Sequence, residues 1–400
     1  MNILFFGCLY SSEDKVVFLN KSKRGYQYAA QNLQEALVEG FLEICRDKFT
    51  VLTIPSLSTF PKGCKLPVIK DSELVYKGIC LGTSLGFLNL PFLNFPCYKR
   101  IDRFVDNWYE SSIGDKTIFV YALLRGQMEC AVRAKQRHPD IKISIIIPDL
   151  PMYMNCNRVY TALGLQKRNI AAIDDLVHEF DSYVVLAKHM TEALKIFNKP
   201  YIVIEGIFNA LPNGYQEVVK LPGKTALYSG GIQTRYGVFD FIEAFLRLQG
   251  DDYRLLLCGN CDEMEKLNHY LAKDSRISYL GLVPTEKVRE LQRKVNLLVN
   301  PRHSTEDFTK YSFPSKTIEY MASGTPVLMS PLPSMPDEYK EYLYLFDDES
   351  IDGMKTKLEA TLNIEPEILK AKGKSASEYI LKNKNSKVQV SKIIELLKNV

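Results

Sequence analysis

The chain has 400 residues, of which 46% are hydrophobic and 24% charged, and its formal net charge is +4. That length exceeds what one hydrophobic core usually supports, so two domains are expected, and the composition is that of an ordinary globular protein. The small net charge argues against a dedicated nucleic-acid binder, and no stretch reaches the ~18 apolar residues that a membrane span requires.

The N-terminal half opens on a short apolar run, "NILFFG", which reads as a buried strand. The start lacks the basic region and the apolar length of a signal peptide, and the cysteines are dispersed without a disulfide framework. Reduced thiols and a cytoplasmic location are expected, with at most contact at the inner face of the cell membrane. A loop carrying Lys21, Lys23, Arg24 and Gly25 leads into the helical pattern "YQYAAQNLQEALVEGF". "FTVLTIPS" reads as a second strand. Residues 82–104 are apolar and aromatic, broken by prolines and followed by Lys99, Arg100 and Arg103. That segment suits either an irregular cover on the core or docking at an anionic membrane surface and its lipids. "KTIFVYALL", "IKISIIIPDL", "DSYVVLA" and "YIVIEGI" add strands rich in β-branched residues, with helical segments such as "GQMECAVRAKQRHP" and "MTEALKIFN" between them. Asp149 ends one of these strands at the expected sheet edge, where it reads equally as a turn residue and as a contact to a hydroxyl. His189 opens a helix and reads as a packing or capping residue.

Residues 209–224, "NALPNGYQEVVKLPGK", have two prolines and no periodicity and read as a linker. The alternation then restarts: "KTALYSGG" a strand, "GVFDFIEAFLRLQ" a helix, "YRLLLCG" a strand, "DEMEKLNHYLAK" a helix, "ISYLGLV" a strand, "TEKVRELQRKV" a helix, and "NLLVNP" and "TPVLMS" strands. Alternating strands and helices imply parallel βαβ units, hence two Rossmann-like α/β domains, with ligands at the carboxyl ends of the strands. "CGNC" at 258–261 has no second cysteine or histidine pair, so no metal site is expected there.

"FPSKTIEYMASGTPVLMS", 313–330, carries the clearest chemistry. A turn entering a helix presents free N–H groups and the positive end of the helix dipole, which suits a diphosphate. Lys316 stands at that mouth, and Glu319 lies one turn inside, where a carboxylate accepts hydrogen bonds from paired hydroxyls. Gly324 and Pro326 stop the helix. Taken alone, Lys316 and Glu319 also fit an ordinary (i, i+3) surface pair.

The stretch resembles the nucleotide-sugar-binding motif of the retaining family-4 glycosyltransferases, which have the GT-B fold. The matched positions are Pro314, Lys316, Glu319, Tyr320, Met321, Ala322, Gly324, Pro326 and Val327. "LYSGGIQTRYGVFDFIEAF" resembles the first strand–loop–helix of the same domain, and "YLGLVPTEKV" the segment that holds the base.

The resemblance implies two Rossmann-like domains facing a cleft. The boundaries would be an acceptor-binding domain over 1–208, the linker 209–224, a donor domain over 225–375, and a C-terminal helix over 376–400 packing back on the first domain. It implies transfer of a sugar from a nucleotide-diphosphate donor, with retention, to a lipid-linked glycan in surface polysaccharide assembly. No cofactor and no metal are expected. Lys316, Glu319, Arg235 and Asp149 are the catalytic candidates. Donor contacts are expected from Gly230, Gly231, Leu282, Val283, Tyr311, Ser312, Phe313 and Ser315, with Arg24 and Gly25 facing the phosphates. Two departures stand out. Gly231 and Tyr236 occupy the places of the family's arginine and lysine, making Arg235 the replacement cation. Tyr311 occupies the place of the first glutamate, with Glu306 and Asp307 upstream as substitutes. The alternatives are a nucleotide-sugar epimerase of the same fold and a non-catalytic partner subunit.

Overall fold

The computed structural model describes residues 1–22, 28–91, 93–151, 165–208 and 218–400. Two compact units emerge, Met1–Ile207 with Ser386–Val400, and Phe208–Asn385.

The first unit is built on β1 (Asn2–Gly7), β2 (Phe49–Thr53), β3 (Ser72–Tyr76), β4 (Ile79–Ser84), β5 (Lys116–Tyr121), β6 (Ile141–Ile147), β7 (Ser182–Val185) and β8 (Tyr201–Val203). They form one sheet in the order β3-β4-β2-β1-β5-β6-β7-β8. All its pairs are parallel except β3–β4, a hairpin whose turn residues Lys77 and Gly78 both have positive φ, 49° and 79°. Such a turn matches the twist of the flanking strands. Ile3 and Phe5 of β1, Phe119 of β5 and Val184 of β7 form a core with Val390, Ile393 and Leu397 from the C-terminal helix Ser386–Lys398.

Two expectations change here. Within 82–104, Leu85 and Phe87 are buried, and helix Tyr98–Ser111 begins inside the stretch, seating Ile101, Val105 and Trp108 in the core. That segment is therefore partly core and not wholly an irregular surface. The single helix expected over 376–400 is two. Pro366–Asn383 packs in the second unit through Ala376 and Ile380, whereas Ser386–Lys398 packs in the first against helix Tyr28–Cys45. The break has a local cause. Asn385 Nδ2 donates to Leu381 O at 2.9 Å, capping the last turn, while the Lys384 ammonium is held 3.2 Å from Glu338 in the second unit.

The second unit carries β9 (Lys224–Ser229), β10 (Tyr253–Cys258), β11 (Ile277–Tyr279), β12 (Leu297–Asn300), β13 (Val327–Met329) and β14 (Tyr344–Leu345). The sheet is parallel throughout, in the order β11-β10-β9-β12-β13-β14. Its strands read as continuous apolar runs because both faces are covered. Ala226, Tyr228, Leu297, Val299 and Leu328 point to one core, with helices Val238–Leu246 and Ile351–Leu362. Leu227, Leu298, Val327 and Met329 point to the other, with Ile318, Tyr320 and Met321 of helix Ser315–Ala322. Period-two alternation across a two-sided sheet thus fixes which face the motif helix covers.

Candidate functional site

In the second unit the chain leaves β9 for β10 on one side and later returns as β12 on the other. Ligands of open α/β sheets gather beyond the carboxyl ends of such strands. Ser229 ends β9 and Asn300 ends β12.

Helix Ser315–Ala322 is locked to that edge by Tyr320, which is fully buried. Its hydroxyl accepts the Ser229 N–H at 2.8 Å and donates to Ser229 O at 3.1 Å, with Ser229 Oγ 3.0 Å away. Burial raises that hydroxyl's pKa well above its usual value. Asn300 Nδ2 donates to Thr317 Oγ1 at 3.3 Å, tying the first turn of the helix to β12. The helix begins after Pro314 with no side-chain cap, so no capping side chain satisfies the N–H groups of its first turn.

Lys316 follows from this anchoring. Its chain passes over Gly230, whose φ is +153°, and its ammonium lies 5.1 Å from the centroid of the Tyr228 ring. Burial pulls its pKa down to about 8; the like charge of Arg302 acts in the same direction, against Glu319 and Cys258. Glu319 has its side chain open to solvent, yet the protein mass around it raises its carboxyl above the usual value, against the pull of Arg289 and Lys316.

Arg302, two residues beyond β12, was not singled out from the sequence. Its guanidinium lies 4.8 Å from the Tyr236 ring and 5.1 Å from Phe308, and its Nε is buried with no hydrogen-bond partner among the described residues. Burial lowers its pKa, and Arg235 adds to the effect. Arg235 is exposed and lies 4.7 Å from the same Tyr236 ring, with hydrogen bonds to Gln233 Oε1 and the Tyr236 hydroxyl, both 2.8 Å. Tyr236 is therefore a platform between two arginines. Three cations gather around two tyrosine rings, an arrangement that fits a bound polyanion. The available signal for Arg302 was a basic residue directly after the strand "NLLVNP".

The other candidates divide. Gly231 contributes its carbonyl to the Tyr228 hydroxyl at 2.8 Å. Leu282 is 79% exposed after β11, and Val283 packs against the core. Ser315 is exposed at the helix mouth, and Ser312 O accepts from Ser334 Oγ at 3.1 Å. Tyr311 closes the short turn Asp307–Lys310 and is half-buried. Phe313 is 3% exposed and packs 5.1 Å from Tyr339, so its side chain serves the core. Asp307 is paired with Lys310 at 3.2 Å. Asp149 belongs to the first unit, at the carboxyl end of β6, exposed and with its pKa raised by surrounding protein. Lys23, Arg24 and Gly25 lie outside the described residues, as do 209–217 of the expected linker. Cys258 is buried and Cys261 half-buried, and no cluster of three metal-ligating side chains occurs among the described residues.

Residues 216–378 match the family model described as glycosyl transferases group 1. No curated protein is similar to the chain in sequence. Among solved structures, the chain is similar to a sucrose-phosphate synthase from Thermosynechococcus elongatus, with a TM-score of 0.62, 14% identity, and coverage of 100% of this chain and 99% of that one. It is also similar to Anabaena HepE in complex with UDP and glucose, with a TM-score of 0.62, 13% identity and full coverage of both chains. A third similar structure is the lipopolysaccharide outer core galactosyltransferase WaaB, with a TM-score of 0.61, 13% identity, and coverage of 100% and 99%.

Proposed function

We propose that this chain, which has the GT-B fold and whose residues 216–378 match the group 1 glycosyltransferase family model, transfers a sugar from a nucleoside-diphosphate donor to a hydroxyl acceptor with retention of configuration. The observation that carries this reading is the pair Lys316 and Arg302. Burial lowers the pKa of both at the switch point of the sheet, where the like charge of Arg302 lowers Lys316 further and that of Arg235 lowers Arg302 further. Two cations in that position stabilise a bound diphosphate and, more strongly, the charge that grows on it as it departs.

In the reaction, the bond from the anomeric carbon to the β-phosphate oxygen breaks. The acceptor oxygen bonds to the same face of that carbon, and its proton passes to a phosphate oxygen. No protein nucleophile enters this scheme. The N–H groups at the mouth of helix Ser315–Ala322 meet the phosphates with Lys316, Arg302 and Arg235. Glu319 accepts hydrogen bonds from the ribose hydroxyls, and the backbone at Leu282 and Val283 meets the base. Gly230 leaves room for the Lys316 chain beside the phosphates, and Gly231 lets the diphosphate approach the main chain.

Asp149 is assigned to the acceptor. The setting proposed is surface polysaccharide synthesis on a lipid-linked glycan, at the membrane surface. Leu88 and Leu93, 49% and 54% exposed, stand near the exposed Lys99 in sequence and support that contact. No helix among the described residues is long and apolar enough to cross a membrane.

The test is a thermal-shift screen with UDP, GDP, dTDP and CDP, repeated on Glu319→Ala, followed by NMR of the donor sugar's anomeric signal. A shift with one nucleotide, lost in the variant, and slow donor hydrolysis without acceptor support the transferase. Binding without hydrolysis or transfer would favour a partner subunit. Inversion at C2 with the nucleotide retained would establish an epimerase.

A further inference from the structure

Arg302 is held by ring faces. Its guanidinium lies on Tyr236 and Phe308, whose rings meet edge to face with centroids 6.3 Å apart, and its Nε is buried with no hydrogen-bond partner among the described residues. A ring face attracts a cation without fixing its direction as a hydrogen bond does. Where this guanidinium points therefore depends on how the loop after β12 is anchored.

The next residue supplies an anchor. His303 Nε2 lies 2.8 Å from Asp240 Oδ2, in the first turn of helix Val238–Leu246, and its Nδ1 lies 3.5 Å from Glu349 Oε2. The same Glu349 oxygen accepts the Ser304 N–H at 2.8 Å. Glu349 directly precedes Ser350, the N-cap of helix Ile351–Leu362. One loop is thus tied to the starts of two helices. It is also pressed against the first of them: Gly237, with φ +69°, precedes Val238, and a Cβ there would meet Pro301 O at 2.0 Å and His303 Cδ2 at 3.3 Å. The His303 and Glu349 side chains are only 21% and 18% exposed, so solvent weakens their contact little. Glu349 Oε1 is buried with no partner among the described residues. An orphaned buried oxygen costs the fold stability, so this carboxylate is placed for its hold on His303 and Ser304 rather than for the core.

We infer that His303 is a positioning residue for the donor reaction: bracketed by Asp240 and Glu349, it fixes the loop that aims Arg302 at the departing diphosphate. It acts through Arg302 and does not touch the donor itself. The inference rests on the transferase reading and deepens it, by naming what holds one of the cations on the leaving group.

Two measurements on the full chain test this. The first is calorimetric titration with UDP, GDP, dTDP and CDP and with the matching nucleosides, on the wild type, His303→Ala, His303→Gln, Arg302→Met and the double variant His303→Ala with Arg302→Met. Diphosphate affinity is expected to fall severalfold in His303→Ala while nucleoside affinity holds. His303→Gln, which keeps an N–H donor for Asp240, should recover part of the loss. The double variant should bind no more weakly than Arg302→Met alone, because coupled residues do not add. The second measurement is the NMR signal of the Arg302 Nε–H, assigned by its disappearance in Arg302→Met. It should be protected from solvent exchange in the wild type and in His303→Gln, and lose that protection in His303→Ala. Where His303→Ala fails to fold, Asp240→Asn, a change at a half-exposed carboxylate, reads the same clamp and should also weaken diphosphate binding alone.

Equal losses for nucleoside and diphosphate, additive losses in the double variant, or an Arg302 signal unaltered in His303→Ala would each overturn the inference. If the wild type binds a diphosphate and the His303 and Asp240 variants bind it equally well, this inference falls and the transferase reading stands. If the wild type binds none of the four, both fall.

Discussion

A Cβ added to Gly230 would lie 1.3 Å from Lys316 Nζ, so the glycine exists in the structure as the floor beneath a lysine. Its φ of +153° is a second reason for glycine, since other residues rarely adopt that conformation. Gly230→Ala should therefore expel the ammonium from the site while the sheet survives. Losing one charge-assisted contact costs about 1.5–3 kcal/mol, so nucleoside-diphosphate affinity should fall roughly 10- to 100-fold. Calorimetric titration of wild type and variant checks this. Unchanged affinity would separate Lys316 from the phosphates.

Lys316 makes binding and stability depend on pH in opposite ways. Its pKa in the fold is about 8, below the ordinary 10.5. Between those values the unfolded chain holds a proton that the folded chain has released, so this residue's contribution to stability rises with pH across that window. Lys220, held at about 8 by burial although it donates to Val295 O at 2.8 Å, adds to the same slope. Diphosphate affinity, by contrast, needs the ammonium and should decline above about pH 8. Lys316→Met should lose nucleotide binding and gain thermal stability, because a buried charge without a close carboxylate is costly to the fold. Melting curves from pH 7 to 10, with and without the nucleotide that binds, read both effects.

Arg302 and Arg235 share the Tyr236 ring, and the buried one is expected to matter more. Side-chain entropy and solvent weaken an exposed cation's contact, whereas Arg302 is already positioned on Tyr236 and Phe308. Arg302→Met should weaken nucleoside-diphosphate binding about 10-fold or more, and Arg235→Met only about 2- to 3-fold, following the weaker value of exposed charge contacts. Titrations should include the nucleoside alone. An equal loss for nucleoside and diphosphate would mean that Arg302 only supports the aromatic packing.

The alternation of strands and helices was legible because each parallel strand is a continuous apolar run, and the motif helix was legible from its lysine, glutamate and stop signal. Three features were not. The β3–β4 hairpin turns on Lys77–Gly78, without the Asn-Gly or Asp-Gly pair that announces such a turn. The C-terminal break depends on Asn385 capping one helix and on which unit each flanking apolar face meets, a long-range choice invisible in local pattern. Arg302 looked like any basic loop residue, and only the folded positions of Tyr236 and Phe308 distinguish it. Phe313, by contrast, sits inside the motif and proves to be core, so membership of a signature did not by itself assign a side chain to the ligand.

If Lys316, Arg302 and the helix N–H groups carry the leaving-group charge, a divalent cation is not required for it. Transfer measured after exhaustive treatment with EDTA should stay within about twofold of the untreated rate, since preorganised protein charge performs the electrostatic work. A large loss restored by Mg²⁺ or Mn²⁺ would assign part of that work to a metal bound with the donor.

Tyr320 joins the fold to the site, and Tyr320→Phe separates the two roles. The variant keeps the buried ring but removes the hydroxyl that accepts from Ser229 N–H at 2.8 Å and donates to Ser229 O at 3.1 Å. An unsatisfied buried backbone N–H costs about 1–3 kcal/mol, and that is the expected loss in denaturant-derived stability. Donor affinity should fall as well, because Ser229 directly precedes Gly230 and the hydroxyl fixes the distance between the end of β9 and helix Ser315–Ala322. The rise in KM should exceed the change in kcat, as loosened ground-state binding requires. A stability loss with unaltered KM would show that the clamp serves the core alone, and the position of Lys316 over Gly230 would then be set by packing on Ile318 and Met321 instead.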